Sequence, residues 1–163
     1  MRFTTKTEYG LNCLVYMARH NSGGVVTIKD LAVQEHFSLP YIEKILQRLR
    51  SAKIVVSHQG KKGGYTLARR PSEITLKEII EALEGVTFDV YCEPEVREHI
   101  VCTHFCMCGI RPVWAKTKEI LDEFYGSLTL ETIAKEEEEA QCSIAAIPHG
   151  ESLKSLMKGK DKR

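Results

Sequence analysis

Four of the chain's six cysteines, Cys92, Cys102, Cys106 and Cys108, fall within one short stretch, whereas Cys13 and Cys142 stand apart. Cysteine thiolates are soft ligands suited to iron–sulfur clusters and to zinc. In a reducing compartment a group this dense holds metal more often than disulfides. Cys102 and Cys106 have three residues between them, a gap zinc accepts, and four thiolates could close a structural zinc site. Cys106 and Cys108 have only one, so no second close pair completes the usual zinc pattern. On the residues alone a cluster, zinc and free thiols in a loop all stay open. No Cys-x-x-Cys motif, phosphate-cradling glycine loop or nucleophile–base arrangement is present, so the thiols give no reason to expect an enzyme. Cys13 sits among apolar residues at helical spacing and reads as a small core side chain; Cys142 has no assignable role.

At 163 residues the chain can hold one compact domain plus an appendage. No apolar run approaches the roughly 20 residues needed to cross a bilayer. Arg2, Lys6 and Glu8, with the mixed amphipathic stretch after them, do not resemble a signal peptide. The expectation is a cytoplasmic protein with no membrane partner. Its net charge of +1 conceals a division: up to Thr75 there are twelve Lys and Arg against five acids, and beyond it eleven against seventeen. A basic half on an otherwise acidic chain suits a polyanion, although a solvated surface has the same composition.

The periodicity predicts a helix over about Thr4 to His20, ended by the Asn21-Ser22-Gly23-Gly24 turn. Thr27 and Asp30 form a capping box that opens a short helix to about His36. A third helix follows, with Ser38 as its cap, Pro40 in its first turn, and Leu39, Ile42, Ile45, Leu46 and Leu49 as its apolar stripe. The β-branched run Ile54–His58, the turn Gly60-Lys61-Lys62-Gly63-Gly64 and Tyr65-Thr66-Leu67 read as a hairpin. Thr75 and Glu78 cap a further helix whose Leu76, Ile79, Ile80 and Leu83 share one face and which Gly85 closes. Periodicity then disappears from Thr87 to Gly109, where the clustered cysteines lie, as expected of a functional or disordered connection. Pro112 starts a long helix to about Tyr125 with a wide stripe of Val113, Trp114, Thr117, Ile120, Leu121, Phe124 and Leu128. One short chain would struggle to cover that stripe, so a homodimer is expected. Thr129 caps a last short helix, and the polar residues beyond Cys142 read as a tail.

Three short helices followed by a hairpin is the order of a winged helix-turn-helix, in which one helix enters the major groove of DNA. The candidate recognition helix is Ser38 to Ser51, with Tyr41, Glu43, Lys44, Gln47 and Arg48 turned outward and Ser38 at the N-terminus, where phosphate oxygens are favoured. Lys61 and Lys62 at the hairpin tip can meet the backbone or the minor groove. Glu43, an acid in a basic module, is expected to select against wrong bases or to accept from cytosine.

Met1 through Lys6 with Tyr9, Ser38 through Glu43, and Gly60 with Gly63-Gly64-Tyr65 resemble the Rrf family of bacterial regulators, which includes the IscR and NsrR types, over Met1 to about Ala134. That resemblance implies a winged-helix iron–sulfur transcriptional regulator, homodimeric on a palindromic operator in double-stranded DNA. Tyr9, Ser38, Tyr41 and Glu43 would lie near DNA, and Arg2, Thr27, Pro40 and Gln59 join the DNA-side set. Gln59 stands where many relatives carry a minor-groove arginine, a place Lys61 or Lys62 could fill. The resemblance also implies three cluster cysteines ahead of the long helix, matched here by Cys92, Cys102 and Cys108, with Cys106 extra. Relatives with a histidine ligand place it where this chain has Arg111, which cannot ligate. Others borrow an acid from the partner subunit's first helix, the position of Glu8, which can equally be an exposed helix acid. Cys106, His104 and His99 compete for the fourth place.

The expected architecture is mainly α with a small β-hairpin wing. Residues 1–85 form the DNA-binding domain, 86–109 the cysteine-rich loop, 110–140 the dimerisation helix with a short C-terminal helix, and 141–163 the tail. The expected function is regulation of transcription by redox state, nitric oxide or iron–sulfur status through a 2Fe–2S or 4Fe–4S cluster. The alternative is a cluster-free repressor, zinc-bound or metal-independent, controlled by a partner protein or small molecule.

Overall fold

The computed structural model describes residues 4–20, 24–35, 37–60, 63–88 and 107–136. Within these, α1 (Thr5–Arg19), α2 (Ile28–Glu35) and α3 (Leu39–Ser51) precede a hairpin of β1 (Val55–His58) and β2 (Gly64–Leu67). A 3-10 turn at Pro71–Glu73, α4 (Leu76–Glu84) and α5 (Arg111–Ser127) follow, and residues 130–136 are helical. This is the mainly helical, winged arrangement that the periodicity predicts. The hairpin tip, most of the cysteine-rich stretch and the tail lie outside the described residues.

The helices start where local chemistry satisfies their first N–H groups. Thr4 accepts from the Lys6 amide at 3.3 Å. Thr27 and Asp30 form a reciprocal box, the Asp30 amide donating to Thr27 Oγ1 at 3.2 Å and the Thr27 amide to the Asp30 carboxylate at 2.9 Å. Thr75 and Glu78 repeat the arrangement at 3.2 and 2.9 Å. Thr129 Oγ1 accepts from the Thr132 amide at 3.2 Å, which opens the last helical segment. Ser38 occupies the cap position of α3, but its side chain makes no capping hydrogen bond.

One core unites these elements. Cys13, Leu14 and Met17 of α1, Leu31 of α2, and Ile42, Ile45, Leu46 and Leu49 of α3 meet Ile54, Ile79, Leu83 and Leu130. Cys13 is thus a core side chain, as its neighbours predict. Leu39 departs from the predicted stripe: it is 46% exposed, because it precedes the first full turn facing the core. At the far end of α3, Lys53 adopts a left-handed conformation (φ 58°), and Ile54 N–H reaches back to Leu49 C=O at 2.9 Å, turning the chain sharply into β1.

The hairpin is antiparallel, with Val55 opposite Leu67 and His58 opposite Gly64. Val26 adds a bridge to its edge: the Val26 and Tyr65 amides donate to each other's carbonyls at 2.9 and 2.8 Å. This approach needs glycine at position 64, where a Cβ would lie 2.5 Å from the Val26 carbonyl oxygen.

The segment after α5 returns to the front of the chain. Leu76 N–H donates to Leu128 C=O at 2.9 Å and Leu130 N–H to Ile74 C=O at 2.8 Å, while Leu130 and Ala134 enter the core. Residues 130–136 therefore pack with the core that α1 to α4 share, although the sequence groups them with the long helix. Leu130→Ala should accordingly destabilise the protein by about 2–5 kcal/mol in denaturant unfolding, as for a fully buried leucine. A change below about 1 kcal/mol would separate this segment from the core.

Candidate nucleic-acid interface

Burial of Ile42, Ile45, Leu46 and Leu49 turns the opposite side of α3 to solvent. Pro40, Glu43, Lys44, Gln47 and Ser51 are all exposed there. The helix has two flanks, set by three- and four-residue spacing. Glu43, Gln47 and Arg50 lie on the one nearer the hairpin, where Arg50 donates to Ser57 Oγ of β1 at 3.4 Å. Lys44 and Arg48 lie on the other, beside a groove of about 490 Å³ that Gln47, Ser51, Ala52 and Ala82 also line.

Two of the side chains predicted to face outward are partly engaged within the protein. Tyr41 is half-buried and packs its ring edge-on against Tyr9, centroids 5.5 Å apart, while Tyr9 stacks on Phe37 at 3.5 Å. These rings fix the start of α3 against α1. Arg48, although exposed, donates from a guanidinium nitrogen to Leu83 C=O at 3.1 Å. Its charge thereby sits at the C-terminal end of α4, where helix carbonyls favour a cation. Thr27 is also occupied, its hydroxyl shared with Asp30 at 2.7 Å. Those hydrogen bonds from Thr27 hold the Asp30 carboxyl below its ordinary range.

Ser38 and Gln59 are exposed. Beside Gln59, His58 Nε2 pairs with Thr66 Oγ1 across the hairpin at 2.9 Å. Arg2, Lys61 and Lys62 lie outside the described residues. Arg50 escaped the sequence reading, although its place seven residues after Glu43 puts it on that residue's flank.

The end of α4 is a second feature not foreseen. Leu83 C=O accepts from Lys6 Nζ at 3.2 Å as well as from Arg48. The Glu84 carboxylate accepts from the Thr4 hydroxyl and, at 2.6 Å, from the Thr7 hydroxyl, and it pairs with Lys6 at 3.1 Å. Burial alone would push the Glu84 carboxyl up, but hydrogen bonds from Thr4, Thr7 and Lys6, with the Lys6 charge, outweigh it and hold the pKa at about 2. Gly85 then ends the helix at φ 96°. Buried Thr87 donates to Asp122 of α5, an acid that also pairs with Lys77 and Lys118 at 3.3 and 3.2 Å.

Along α5, Tyr125 is buried, whereas Val113, Trp114, Ile120 and Phe124 are 51, 38, 54 and 55% exposed. Four residues of the predicted stripe are thus open to solvent, while Thr117, Leu121 and Leu128 are half-buried. Cys108, partly exposed, lies just before α5, and Glu8 is exposed on α1. Cys92, Cys102, Cys106, His99, His104 and Cys142 lie outside the described residues. Among the described residues no group of three or more His, Cys, Asp or Glu could hold a metal ion, and no helix is long and apolar enough to cross a membrane.

Three helices, a hairpin wing and an outward polar face on the third helix define a winged helix-turn-helix DNA-binding regulator. Residues 3–136 match the family described as "Rrf2: Iron-dependent Transcriptional regulator". Protein rrf2 of Nitratidesulfovibrio vulgaris strain Hildenborough is 30% identical over 136 residues, covering 83% of this chain and 89% of that one. The HTH-type transcriptional regulator CymR of Bacillus subtilis is 31% identical over 138 residues, covering 82% and 90%. The solved structure of CymR, termed there the global cysteine regulator, matches with a TM-score of 0.65 over 83% of this chain and 97% of its own. That of T. potens IscR matches with a TM-score of 0.66 at 33% identity, over 86% and 91%. The chain belongs to the Rrf2 family of transcriptional regulators.

The Glu84 carboxyl is held below its ordinary value of 4.5, so its contribution to stability is present above about pH 4.5 and lost as pH falls toward 2. Urea unfolding of wild type and Glu84→Gln from pH 7 down to that range should show a shallower decline for the variant. Parallel declines would mean that the carboxylate is not held as described.

Proposed function

We propose that this regulator acts as a homodimer on a palindromic operator, and that its grip on DNA answers to an iron–sulfur cluster held by Cys92, Cys102 and Cys108. The observation that carries the dimer is the apolar side of α5. Four large side chains, Val113, Trp114, Ile120 and Phe124, stand in solvent along this one helix, whereas the exposed Val25, Val33, Leu39 and Val56 are scattered over other elements. Burying a side chain of this kind is worth about 1.5–3 kcal/mol, so a second copy of the same face has ample driving force. A two-fold pair places its recognition helices about one DNA turn apart, which a palindrome matches. In each copy, Glu43, Gln47 and Lys44 on α3 meet base edges and phosphates, with Ser38 and Pro40 at the helix start and Tyr9 and Tyr41 behind it. Arg2, Gln59, Lys61 and Lys62 extend the contact toward the backbone and minor groove.

The donor set suits an iron–sulfur cluster: three thiolates end at Cys108, directly ahead of α5, and Cys106 or Glu8 of the partner subunit can supply a fourth ligand. Exposure of Glu8 on α1 leaves its carboxylate accessible to a second chain. When bound, such a centre supplies a group whose oxidation, reaction with nitric oxide or loss changes the charge and ligation ahead of α5. The family description, which names iron dependence, supports this reading.

Anaerobic purification should give a brown protein containing iron and sulfide, and Cys102→Ala should abolish the visible absorbance and alter operator affinity. A colourless protein that binds promoter DNA equally with and without air would support the cluster-free repressor, and zinc content would identify its zinc-bound form. For the dimer, Phe124→Asp should shift sedimentation to the monomer and weaken operator binding by about 100-fold or more, since the second half-site is then no longer tethered. An unchanged dimer would remove α5 from the interface.

A further inference from the structure

We propose that the run Leu83 to Thr87, at the end of α4, fixes the recognition helix relative to α5, with Glu84 as its positioning residue, so that operator discrimination depends on a carboxylate that touches no DNA. This rests on the reading of α3 as the base-reading helix of a two-fold dimer. Ties to both sides converge on this run. Toward the reader, Leu83 C=O takes Arg48 of α3 and Lys6 of α1, and Glu84 takes Thr4, Lys6 and Thr7 of α1. Toward α5, Thr87 donates to Asp122, and Phe88 lies 6.0 Å from Trp114 between ring centroids.

The seam has little slack. Leu83 is fully buried, and at Gly10 of α1 a Cβ would run into its Cδ1. Side-chain hydroxyls and a charge also lock Glu84, whose side chain is only 16% exposed. A displacement of this run therefore moves α1 and α3 together instead of being absorbed by repacking.

Such a device leaves a signature that loss of stability does not. Hydrogen bonds to base edges fail when a helix is displaced by about 1 Å. Attraction to phosphates persists, because at physiological salt it is screened only over about 8 Å. A loosened clasp should thus reduce affinity for the operator while sparing unspecific binding. A merely destabilised protein has fewer active molecules and loses both by the same factor.

The probe is a duplex selected by wild-type protein from a random pool, compared with a scrambled duplex of equal length at one fixed salt concentration. Glu84→Ala should weaken operator binding about tenfold, comparable with one mismatched base pair, and change scrambled binding by less than about twofold. Glu84→Gln still accepts from the hydroxyls but lacks the charge that Lys6 meets, and should fall between. Thr87→Val, nearly isosteric, removes the hydrogen bond to Asp122 while leaving Phe88 against Trp114, and should also lower the ratio; the two changes combined should lose less than the product of the single losses, because they act through one path. If Glu84→Ala does not fold, the other two variants carry the test. Equal losses on both duplexes, or none, overturn the clasp alone. A wild type that selects no duplex overturns site-specific binding and the clasp with it.

Discussion

At nine residues, α4 is shorter than the roughly 12–15 residues an isolated helix needs even to be marginal in water, so its position is decided by what holds it from outside. Its start is pinned by the Thr75–Glu78 box and by backbone pairing with residues 128–130. Its middle buries Ile79, Ile80 and Leu83, and its end carries the cations of α1 and α3. The helices α1, α3 and α5 all pack against this short rod. The third helix leans on its end through Arg48, the cysteine-rich stretch begins beyond it, and α5 is tied to it through Asp122, which pairs with Lys77.

Most of the fold was legible because it is written in short-range chemistry. Hydroxyl–acid spacing gave the starts of α2 and α4, the Leu83-Glu84-Gly85 end gave the close of α4, and β-branched residues flanking a glycine turn gave the hairpin. What escaped notice is long-range. Nothing in the local pattern of Thr129 and Leu130 says that they pair with Thr75 and Ile74, more than fifty residues earlier, so the last helical segment read as part of the long helix's domain. Val26 beside Tyr65 is a similar case: a two-residue β-branched dipeptide carries no period of its own.

The interface was legible to a different degree on the two flanks of α3. Helical periodicity separates core from solvent, and it placed Glu43, Lys44 and Gln47 outside correctly. It cannot tell solvent from a neighbouring helix end. Tyr41 and Arg48 fall at that margin, and the α1 ring of Tyr9 and the α4 carbonyl of Leu83 claim them. Glu84 was invisible for the same reason. A glutamate in the last turn of a helix is ordinary and faces unfavourable carbonyls, and only the arrival of Thr4, Lys6 and Thr7 from the far end of the chain gives it partners.

This internal use of charge changes what the basic half of the chain can do. Its surplus of cations is real in composition, yet several are committed within the protein: Lys6 to Glu84, Arg48 to Leu83, Arg69 to Glu78 and Arg70 to Glu73. Among the described residues of the reader, Lys29, Lys44 and Lys53 are exposed and make no ion pair. Unspecific attraction grows with the number of phosphates neutralised, and cations committed inside the protein are withdrawn from it. In the proposed reading, discrimination comes from how well Glu43 and Gln47 meet base edges and from whether two copies meet two half-sites at once. Both are matters of position, and the end of a nine-residue helix is where α1 and α3 are held together.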